Sequence, residues 1–315
     1  MTALFMQSQA VAILNPRAGG GTAARRWPRI AEALKQRIGP VEARFTERPD
    51  HASELTRQAL EQGADLIIAV GGDGTVNEVV NGFFVDDRAI RPQAKLGLIP
   101  FGTGGDLQRT LGIPSDIEKA ADTLAAGMTQ RVDVGKLRLT GHDGQPIDRL
   151  FLNLTSFGMG GDVSVRAKNI LSPLSGKAAF LWATLIVFLR YGGKTVDLRL
   201  DGSAEAKQFD ITNVALGNGR YHGGGMQPCP KARLDDGLLE VTVIERLSMF
   251  ELLRDLPVLY SDDVYVHPKV RHFHAERVEA TSEERVLVEV DGEALGRLPL
   301  QATLLKGALD LIVPA

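Results

Sequence analysis

The chain has 315 residues, of which 44% are hydrophobic and 24% are charged, the composition of an ordinary globular protein. These proportions exclude a disordered, collagen-like or disulfide-scaffold protein. The 36 lysines and arginines against 39 aspartates and glutamates give a net charge of −3, so no basic field indicates a nucleic-acid partner. A chain of this length corresponds to about two domains.

Cys229 is the one cysteine in the sequence, so no disulfide can form within the chain, which fits a reducing compartment. Residues 1–14 lack the basic region and the small-residue cleavage site of a signal peptide. The longest apolar stretch, 178–189, is shorter than the about 20 residues that a membrane span needs. We therefore expect a cytoplasmic protein without a membrane span.

The first 130 residues alternate between strand and helix patterns joined by short loops. The predicted strands are 10–14, 41–46, 65–70 and 95–100, and the predicted helices are 22–37, 50–62, one that begins near Thr75 and one that ends at Gly127. This alternation predicts an α/β domain over 1–130 that is built on a doubly wound parallel sheet.

Two helix starts carry the spacing of a capping box, in which a hydroxyl and a carboxylate three residues later accept each other's backbone N–H. Thr75 and Glu78 have this spacing after the third strand, and Ser115 and Glu118 have it before the last helix of the domain. Asp50 is a further candidate cap before the second helix. We expect these side chains to start their helices.

After about residue 131, strand patterns alternate with Asp-Gly pairs that are typical of hairpin turns. The predicted strands are 132–139, 150–157, 195–200, 209–216, 238–244 and 286–290, and helical patterns cover 176–190 and 248–260. These features predict a second, mainly antiparallel β domain over 131–315. The last strand pattern, 307–313, fits either domain, so the segment of about 300–315 can return to the first one.

A glycine-rich loop, GGDGT over 71–75, joins the third predicted strand to the next helix. Its glycines let main-chain N–H groups approach a ligand, and a helix N-terminus carries partial positive charge, so a phosphate is the expected guest. Asp73 would repel a bare phosphate, which calls for Mg²⁺ or an ordered water between them. The alternative is a tight turn with a solvated aspartate. The loop fits neither the P-loop nor the dinucleotide-binding fingerprint.

Two further glycine-rich loops follow predicted strands of the same domain, NPRAGGG over 15–21 and PFGTGGD over 100–106. The carboxyl ends of parallel strands share one edge of a sheet, and doubly wound folds bind their ligands at that edge. Three such loops on one edge therefore predict a ligand site more strongly than any one loop alone.

In this order, NPRAGGG, GGDGTVNEVVNG and PFGTGGDLQRTLGIP resemble the three signature loops of the diacylglycerol-kinase catalytic family, which also contains sphingosine, ceramide and bacterial lipid kinases. NVALGNGRYHGGGM over 213–226, PKARLDDGLL over 230–239 and DGE over 291–293 continue the resemblance in family order. GGDGT alone is shared with NAD kinases and phosphofructokinases, so the resemblance implies a nucleotide domain of that kind.

The resemblance implies a kinase that uses ATP and Mg²⁺ to phosphorylate a lipid hydroxyl at a membrane surface, with peripheral membrane contact. The ATP phosphates would lie on Gly71, Gly72, Asp73, Gly74, Thr75, Val76 and Asn77. Thr46, after the second strand, and Thr103, in the PFGTGGD loop, match further nucleotide contacts of the family. Taken alone, Thr46 is an ordinary strand-end hydroxyl.

The same resemblance implies the remaining catalytic and metal residues. Glu293 matches the proton acceptor, and Asp73 would organise metal and water beside it. A Mg²⁺ site matches Asp236 together with the main-chain carbonyls of Arg233 and Leu238. By spacing alone, Asp236 lies in an ordinary hairpin turn and Glu293 is a solvated carboxylate after another turn.

One position departs from the family pattern. In the family the loop that corresponds to PFGTGGD usually reads GTGND, and Gly105 stands here in place of the asparagine. The change removes a side-chain amide from the site. We expect either a lower activity or an altered nucleotide preference.

The apolar stretch 178–189 has two interpretations: a buried helix of the second domain, or a wall of an acyl-chain pocket that can also contact a membrane. Basic side chains flank it and could meet anionic head groups: Arg166, Lys168, Lys177, Arg190 and Lys194. The sequence does not distinguish among diacylglycerol, phosphatidylglycerol and sphingoid bases as acceptors, and it does not give the oligomeric state. A kinase of a soluble acceptor such as NAD, or a non-catalytic nucleotide- or lipid-binding protein, is the alternative function.

Overall fold

The computed structural model describes residues 9–102, 104–169, 184 and 186–315. Its backbone divides into two compact units. The first takes the chain up to Val132 together with Gly307–Ala315, and the second is Asp133–Lys306.

The first unit contains a parallel sheet. Its strands are β1 (Ala10–Leu14), β2 (Glu42–Phe45), β3 (Leu66–Gly71) and β6 (Lys95–Pro100), and β4 (Phe84–Val85) and β5 (Arg88–Ala89) form a separate short hairpin. The sheet order is β2-β1-β3-β6, with every pair parallel. Asp310 and Leu311 then pair with β6, also in parallel, so the end of the chain adds a fifth strand.

The helices of this unit are α1 (Ala18–Gly21), α2 (Ala23–Ile38), α3 (His51–Glu61), α4 (Asp73–Gly82), α5 (Asp106–Leu111) and α6 (Ile117–Ala126). All five residues of β1 and the last five of β3 are buried, which requires cover on both faces of the sheet. The helices supply it in two pairs, α2 with α6 and α3 with α4. The predicted doubly wound α/β architecture is confirmed.

The predicted capping box of α4 is wrong. The helix begins at Asp73, after Gly72, and neither member of the box caps it. The Thr75 hydroxyl instead accepts a hydrogen bond from Asn15 Nδ2 at 3.3 Å, and Glu78 Oε2 accepts one from the backbone N–H of Ala52 at 3.0 Å. Partners distant in the sequence have taken both side chains.

The other predicted caps also differ from the structure. Asp116, rather than Ser115, caps α6 and accepts the N–H of Lys119, while Glu118 forms an ion pair with Arg29. Asp50 does stand at the N-cap of α3, but it has φ +60° and its side chain makes no capping hydrogen bond.

The second unit is mainly antiparallel. Its strands are β7 (Thr129–Gly141), which begins in the first unit, β8 (Pro146–Phe151), β9 (Leu154–Gly158), β10 (Lys194–Leu200), β11 (Lys207–Gly217), β12 (Leu239–Glu245), β13 (Val270–Ala275), β14 (Val278–Thr281), β15 (Leu287–Val290) and β16 (Glu293–Ile312), which ends in the first unit. Six of them close a circuit of antiparallel pairs, β9-β11-β10-β14-β16-β15 and back to β9. The predicted antiparallel β domain is confirmed.

The strands of this circuit alternate between two faces. Phe157, Val214 and Val288 belong to the hydrophobic core, whereas their neighbours Ser156 and Glu289 do not. The register pairs Phe157 with Val288 and Ser156 with Glu289, so each pair shares one face. The outer face therefore carries polar side chains that are nevertheless buried.

Several elements of the second unit depart from the sequence prediction, which gave no strand at β13, at β14 or over the first part of β16. The strand predicted over 150–157 is two strands, β8 and β9, and a helix α7 (Met159–Asn169) follows them unpredicted because two glycines break its pattern. The pattern over 248–260 forms α8 (Met249–Asp255) and a 3₁₀ helix (Leu256–Tyr260), with a second 3₁₀ helix at Asp262–Val266. Most of 176–190 lies outside the described residues. No helix among the described residues is long and apolar enough to cross a bilayer.

Candidate active site

The backbones of the GGDGT loop and the PFGTGGD loop are in contact. The N–H of Phe101 donates to the carbonyl of Gly71 at 2.8 Å. A methyl group on Gly102 would lie only 2.9 Å from Gly72 Cα, and one on Gly71 would lie 2.5 Å from Thr75 Oγ1. A side chain at Gly102 would push the two loops apart, and one at Gly71 would clash with Thr75 of its own loop, so close approach requires both glycines.

Asp73 holds the same two loops together. Its carboxylate oxygens accept the backbone N–H groups of Asp106 and Leu107, each at 3.2 Å. Burial raises the pKa of Asp73, and the charge of Asp106 raises it further. Asp106 is itself buried and forms an ion pair with Arg109 at 2.9 Å. Sequence reasoning missed Asp106, whose one signal is its place at the start of a helix directly after a glycine loop.

The loop after β1 joins this cluster. Asn15 reaches the Thr75 hydroxyl, and a methyl group on Gly19 would lie 2.7 Å from the Phe101 ring. The structure thus brings together the three glycine-rich loops that the sequence places at one edge of the sheet. A small cavity, with about 300 Å³ of space including its open part, lies among Gly71, Gly72, Asp73, Val76, Phe101, Gly102 and Gly105.

The other predicted nucleotide residues lie near the same strand ends. Thr46 is buried after β2, and its N–H donates to the carbonyl of Leu14 at 2.9 Å. Val76 and Asn77 are buried in the first turns of α4. Thr103 lies outside the described residues.

Gly105 is the N-cap residue of α5, with φ +66°. Asparagine tolerates this left-handed conformation better than most residues do. A methyl group here would meet Gln108 Oε1 at 2.7 Å, the far end of a flexible side chain. The backbone therefore accommodates the family's asparagine with less strain than most other side chains, and glycine with none.

The predicted metal loop of the second unit folds back on itself. The Asp236 carboxylate is exposed and accepts the N–H of Leu238 at 3.1 Å, while the Arg233 side chain pairs with Asp235. Gly237, between them, donates its N–H to the buried carboxylate of Asp133 at 2.7 Å.

Asp133 lies on β7, about a hundred residues earlier in the chain, so sequence spacing gave no signal for it. In the part of the chain that the structure describes, no group of three His, Cys, Asp or Glu side chains is placed to hold a metal ion. A cation at the Asp236 loop would therefore depend on main-chain carbonyls.

Glu293 is half-buried at the first position of β16. It follows a two-residue hairpin turn in which Asp291 has φ +46° and Gly292 has φ +86°, the positive values that such turns require. Asp291 Oδ1 accepts the N–H of Leu154 at 3.0 Å, and Glu289 Oε2 accepts the N–H of Gly292 at 2.8 Å. These two bonds fix the turn that presents Glu293.

An apolar cavity lies against the outer face of the strand circuit, under α7, α8 and the 3₁₀ helices. It has about 960 Å³ of space, counting the part open to solvent, and its described walls include Met159, Val163, Ala215, Ile244, Leu252 and Val264. A few polar side chains interrupt the walls, among them Ser156, His222 and the hydrogen-bonded pair Asp255 and His267. Thr184, from the predicted apolar stretch, is also in the wall.

Comparison with known families decides the assignment. A family model described as "Diacylglycerol kinase catalytic domain" matches residues 9–137, and one described as "YegS C-terminal NAD kinase beta sandwich-like domain" matches residues 153–313. The chain belongs to the diacylglycerol kinase catalytic domain family. The predicted resemblance is confirmed, the chain is a lipid kinase, and membership implies ATP and a lipid as its substrates.

Relatives in the diacylglycerol kinase family match along nearly the whole chain. A diacylglycerol kinase of Staphylococcus saprophyticus is 31% identical over 98% of this chain and 96% of its own length, and one of Staphylococcus haemolyticus is 32% identical over 98% and 89%. The crystal structure of a putative diacylglycerol kinase from Bacillus anthracis is 27% identical, with a TM-score of 0.77 over 98% of this chain and 97% of that one.

A more distant likeness concerns the fold alone. Yeast NADH kinase in complex with NADH superposes with a TM-score of 0.54 at 14% identity, over 99% of this chain and 85% of that one. The predicted NAD-kinase-like combination of an α/β domain with an antiparallel β domain is confirmed.

Proposed function

We propose that this kinase transfers the γ-phosphoryl group of ATP to the hydroxyl of a lipid, either a diacylglycerol-like lipid or a related one, with Mg²⁺. The main observation in favour of a lipid as the acceptor is the apolar cavity of the second unit. A cavity of mainly apolar walls with a few polar side chains suits an acyl chain with a polar head better than a dinucleotide.

The phosphates of ATP would bind at the glycine cluster of the first unit. Gly71, Gly72, Gly74 and Thr75 would present main-chain N–H groups at the start of α4, where the helix dipole favours negative charge. Thr46 and Thr103 would contact the rest of the nucleotide. The contact between the loops supports this role, because a cradle for a triphosphate has to be held at fixed width.

The residues near this cradle fit a Mg²⁺ ion. Asp73 and Asp106 are two buried carboxylates, and burial, with the charge of Asp106 added to it, raises the pKa of Asp73. A divalent cation with oxygen ligands would relieve the repulsion between the two carboxylates. Bound there, Mg²⁺ would neutralise charge on the transferring phosphate. A second ion at Asp236, with the carbonyls of Arg233 and Leu238, would be structural, because that carboxylate already closes its own loop.

Glu293 would act as the general base. The lipid hydroxyl oxygen attacks the γ-phosphorus, the bond from that phosphorus to the β–γ bridging oxygen breaks, and ADP leaves. The hydroxyl proton passes to the Glu293 carboxylate during the attack, since an alcohol is a poor nucleophile while it keeps its proton. The rigid turn at Asp291 and Gly292 would keep that carboxylate in place.

The outer surface over the cavity suits peripheral contact with a membrane. Leu252 and Val264 line the cavity from α8 and the second 3₁₀ helix, whereas Phe250 and Val266 of the same elements are 71% and 80% exposed. Leu253 and Tyr260 are exposed beside them. An apolar surface over a lipid pocket lets an acyl chain pass from the bilayer without crossing water.

A transfer assay tests this function. The protein is incubated with γ-labelled ATP, Mg²⁺ and mixed micelles that contain diacylglycerol, phosphatidylglycerol or a sphingoid base, with NAD as the soluble rival. We expect label in a lipid product and none in NAD. Label in NAD but in no lipid would favour the soluble-acceptor alternative, and nucleotide binding without transfer would favour a non-catalytic protein.

A further inference from the structure

A buried carboxylate beside the apolar cavity has one oxygen without a partner. Glu289 is 0% exposed, and its Oε2 accepts the Gly292 N–H in the turn before Glu293. Its Oε1 makes no hydrogen bond within the described chain. The His222 Nε2 atom lies 3.6 Å from this Oε1 atom, which is too far for a hydrogen bond.

A second unpartnered oxygen lies next to it. Ser156 stands directly opposite Glu289 across the β9–β15 pair, so both side chains lie on the outer face of the strands. Ser156 is 1% exposed, and its Oγ has no partner in the described residues. Ser156 and His222 line the cavity, and Glu289, which is not itself a lining residue, lies opposite Ser156 and within 3.6 Å of His222. We call these three side chains the Ser156–His222–Glu289 cluster.

A buried polar group without a hydrogen-bond partner destabilises the protein. The other polar pair at the cavity wall shows the contrast, because His267 Nε2 and Asp255 Oδ2 are 3.0 Å apart and bonded. A hydroxyl group both donates and accepts, so one hydroxyl could satisfy the Glu289 oxygen and the Ser156 hydroxyl together. An ester or ether oxygen only accepts, and it would leave the carboxylate oxygen unpaired.

We propose that the Ser156–His222–Glu289 cluster binds a second hydroxyl of the lipid acceptor, next to the hydroxyl that is phosphorylated. This inference rests on the proposed lipid kinase function and narrows its substrate class. The turn connects the cluster to the general base, because Glu289 accepts the Gly292 N–H and so fixes the backbone next to Glu293. A head group with two neighbouring hydroxyls would place one at the cluster and the other toward the general base. Among the lipid acceptors that the sequence left open, the cluster therefore favours those with two neighbouring free hydroxyls over diacylglycerol, whose neighbouring oxygen is esterified.

A matched pair of lipids tests the preference. The acceptors are a 1-O-alkylglycerol and the same lipid with its 2-hydroxyl methylated, which differ by one hydrogen-bond donor. We expect wild-type kcat/KM to be about 10-fold or more higher for the diol, because a site built to bond a hydroxyl rejects the analogue that lacks it. The difference should fall mainly in KM.

Substitutions at the cluster assign the preference to these residues. In Glu289→Gln the amide oxygen can still accept the Gly292 N–H, so the turn is kept, while an NH₂ group, which is a donor, replaces the other oxygen. We expect the diol-to-ether ratio to fall toward 1 in Glu289→Gln and to fall in Ser156→Ala. The change should appear as a higher KM for the diol, whereas a general loss of the turn would lower kcat for both lipids.

Glu240 offers a matched control. It is also a buried glutamate with one unpartnered oxygen and a histidine, His272, at 3.7 Å, but His272 does not line the cavity, whereas His222 does. Glu240→Gln should leave the ratio unchanged. Thermal melting of each variant checks that it is folded, and if Glu289→Gln is not, Ser156→Ala carries the test.

The outcomes separate this inference from the function beneath it. If neither lipid nor any other lipid takes label from ATP, the proposed function fails and the inference fails with it. If lipids are phosphorylated but the wild-type ratio is near 1, or if the ratio survives in both cluster variants, the inference alone is overturned.

Discussion

A methyl group placed between the GGDGT and PFGTGGD loops, by Gly102→Ala, should weaken nucleotide binding more than it lowers the stability of the fold. In Gly102→Ala the new methyl carbon would lie 2.9 Å from Gly72 Cα, where carbon atoms ordinarily approach to about 3.5–4.0 Å. The loops must therefore separate by at least about 0.6 Å. Gly102 is exposed, so the loop can move outward without disturbing the core.

The size of the effect follows from the cost of overpacking, about 1–3 kcal/mol. If the loops separate when free and have to close to hold ATP, that cost appears in the dissociation constant as a rise of about 5- to 150-fold. If the cost appeared in stability instead, the melting temperature would fall by about 2–12 °C. We expect the first result, because a bound triphosphate needs the closed spacing.

Equilibrium binding of a non-hydrolysable ATP analogue, followed by calorimetry, measures this effect. The control is Gly192→Ala, since Gly192 is also exposed, has no positive φ, and a methyl group there would meet nothing within 4 Å. Unchanged affinity and unchanged melting in Gly102→Ala would show that the two loops do not touch as described.

Three other substitutions give distinct outcomes. Glu293→Gln should lower kcat by about 10²–10⁴-fold without changing ATP affinity, because it removes the base alone. Asp73→Asn should abolish transfer and weaken ATP binding, because an amide cannot accept both N–H groups that the carboxylate holds. Burial lowers the pKa of His272 below its ordinary value of about 6.5. As the pH falls, this histidine therefore takes up a proton more readily in the unfolded chain than in the folded one, and the free energy of unfolding decreases below about pH 6.5. His272→Gln should reduce this fall.

Each of these predictions can fail in a recognisable way. Wild-type turnover in Glu293→Gln would refute its role as base, and unaltered transfer in Asp73→Asn would remove that carboxylate from the site. For His272, melting temperatures at about pH 7.5 and about pH 5.5 are compared between the two proteins. An equal loss in both would show that other groups cause the acid sensitivity.

The parts of this molecule that depend on neighbouring residues could be predicted from the sequence. The strand predicted over 10–14 is β1 to the residue, and the glycine loops fall where the strand-to-helix patterns place them, because apolar runs and glycine breaks are local signals. The helix stripe of Val76, Val79 and Val80 is buried as its spacing requires.

The parts that depend on distant partners could not. Thr75 and Glu78 have the spacing of a cap, but their bonds go to residues 60 and 26 positions away. Asp133 meets the Asp236 loop from 104 positions away, and Ser156 meets Glu289 only through strand register. Such pairings depend on which strands become neighbours, which spacing along one chain does not specify.

Isotope transfer tests the central claim most directly. The protein is incubated with Mg²⁺, a lipid bearing a free hydroxyl, and ATP that carries ¹⁸O at the three non-bridging γ oxygens. The mass of the lipid product is then measured by mass spectrometry. Attack by the lipid hydroxyl on the γ-phosphorus predicts a phospholipid whose new phosphate carries all three heavy oxygens, formed one for one with ADP. Heavy inorganic phosphate or a heavy soluble phosphoester, with the lipid unaltered, would contradict the account.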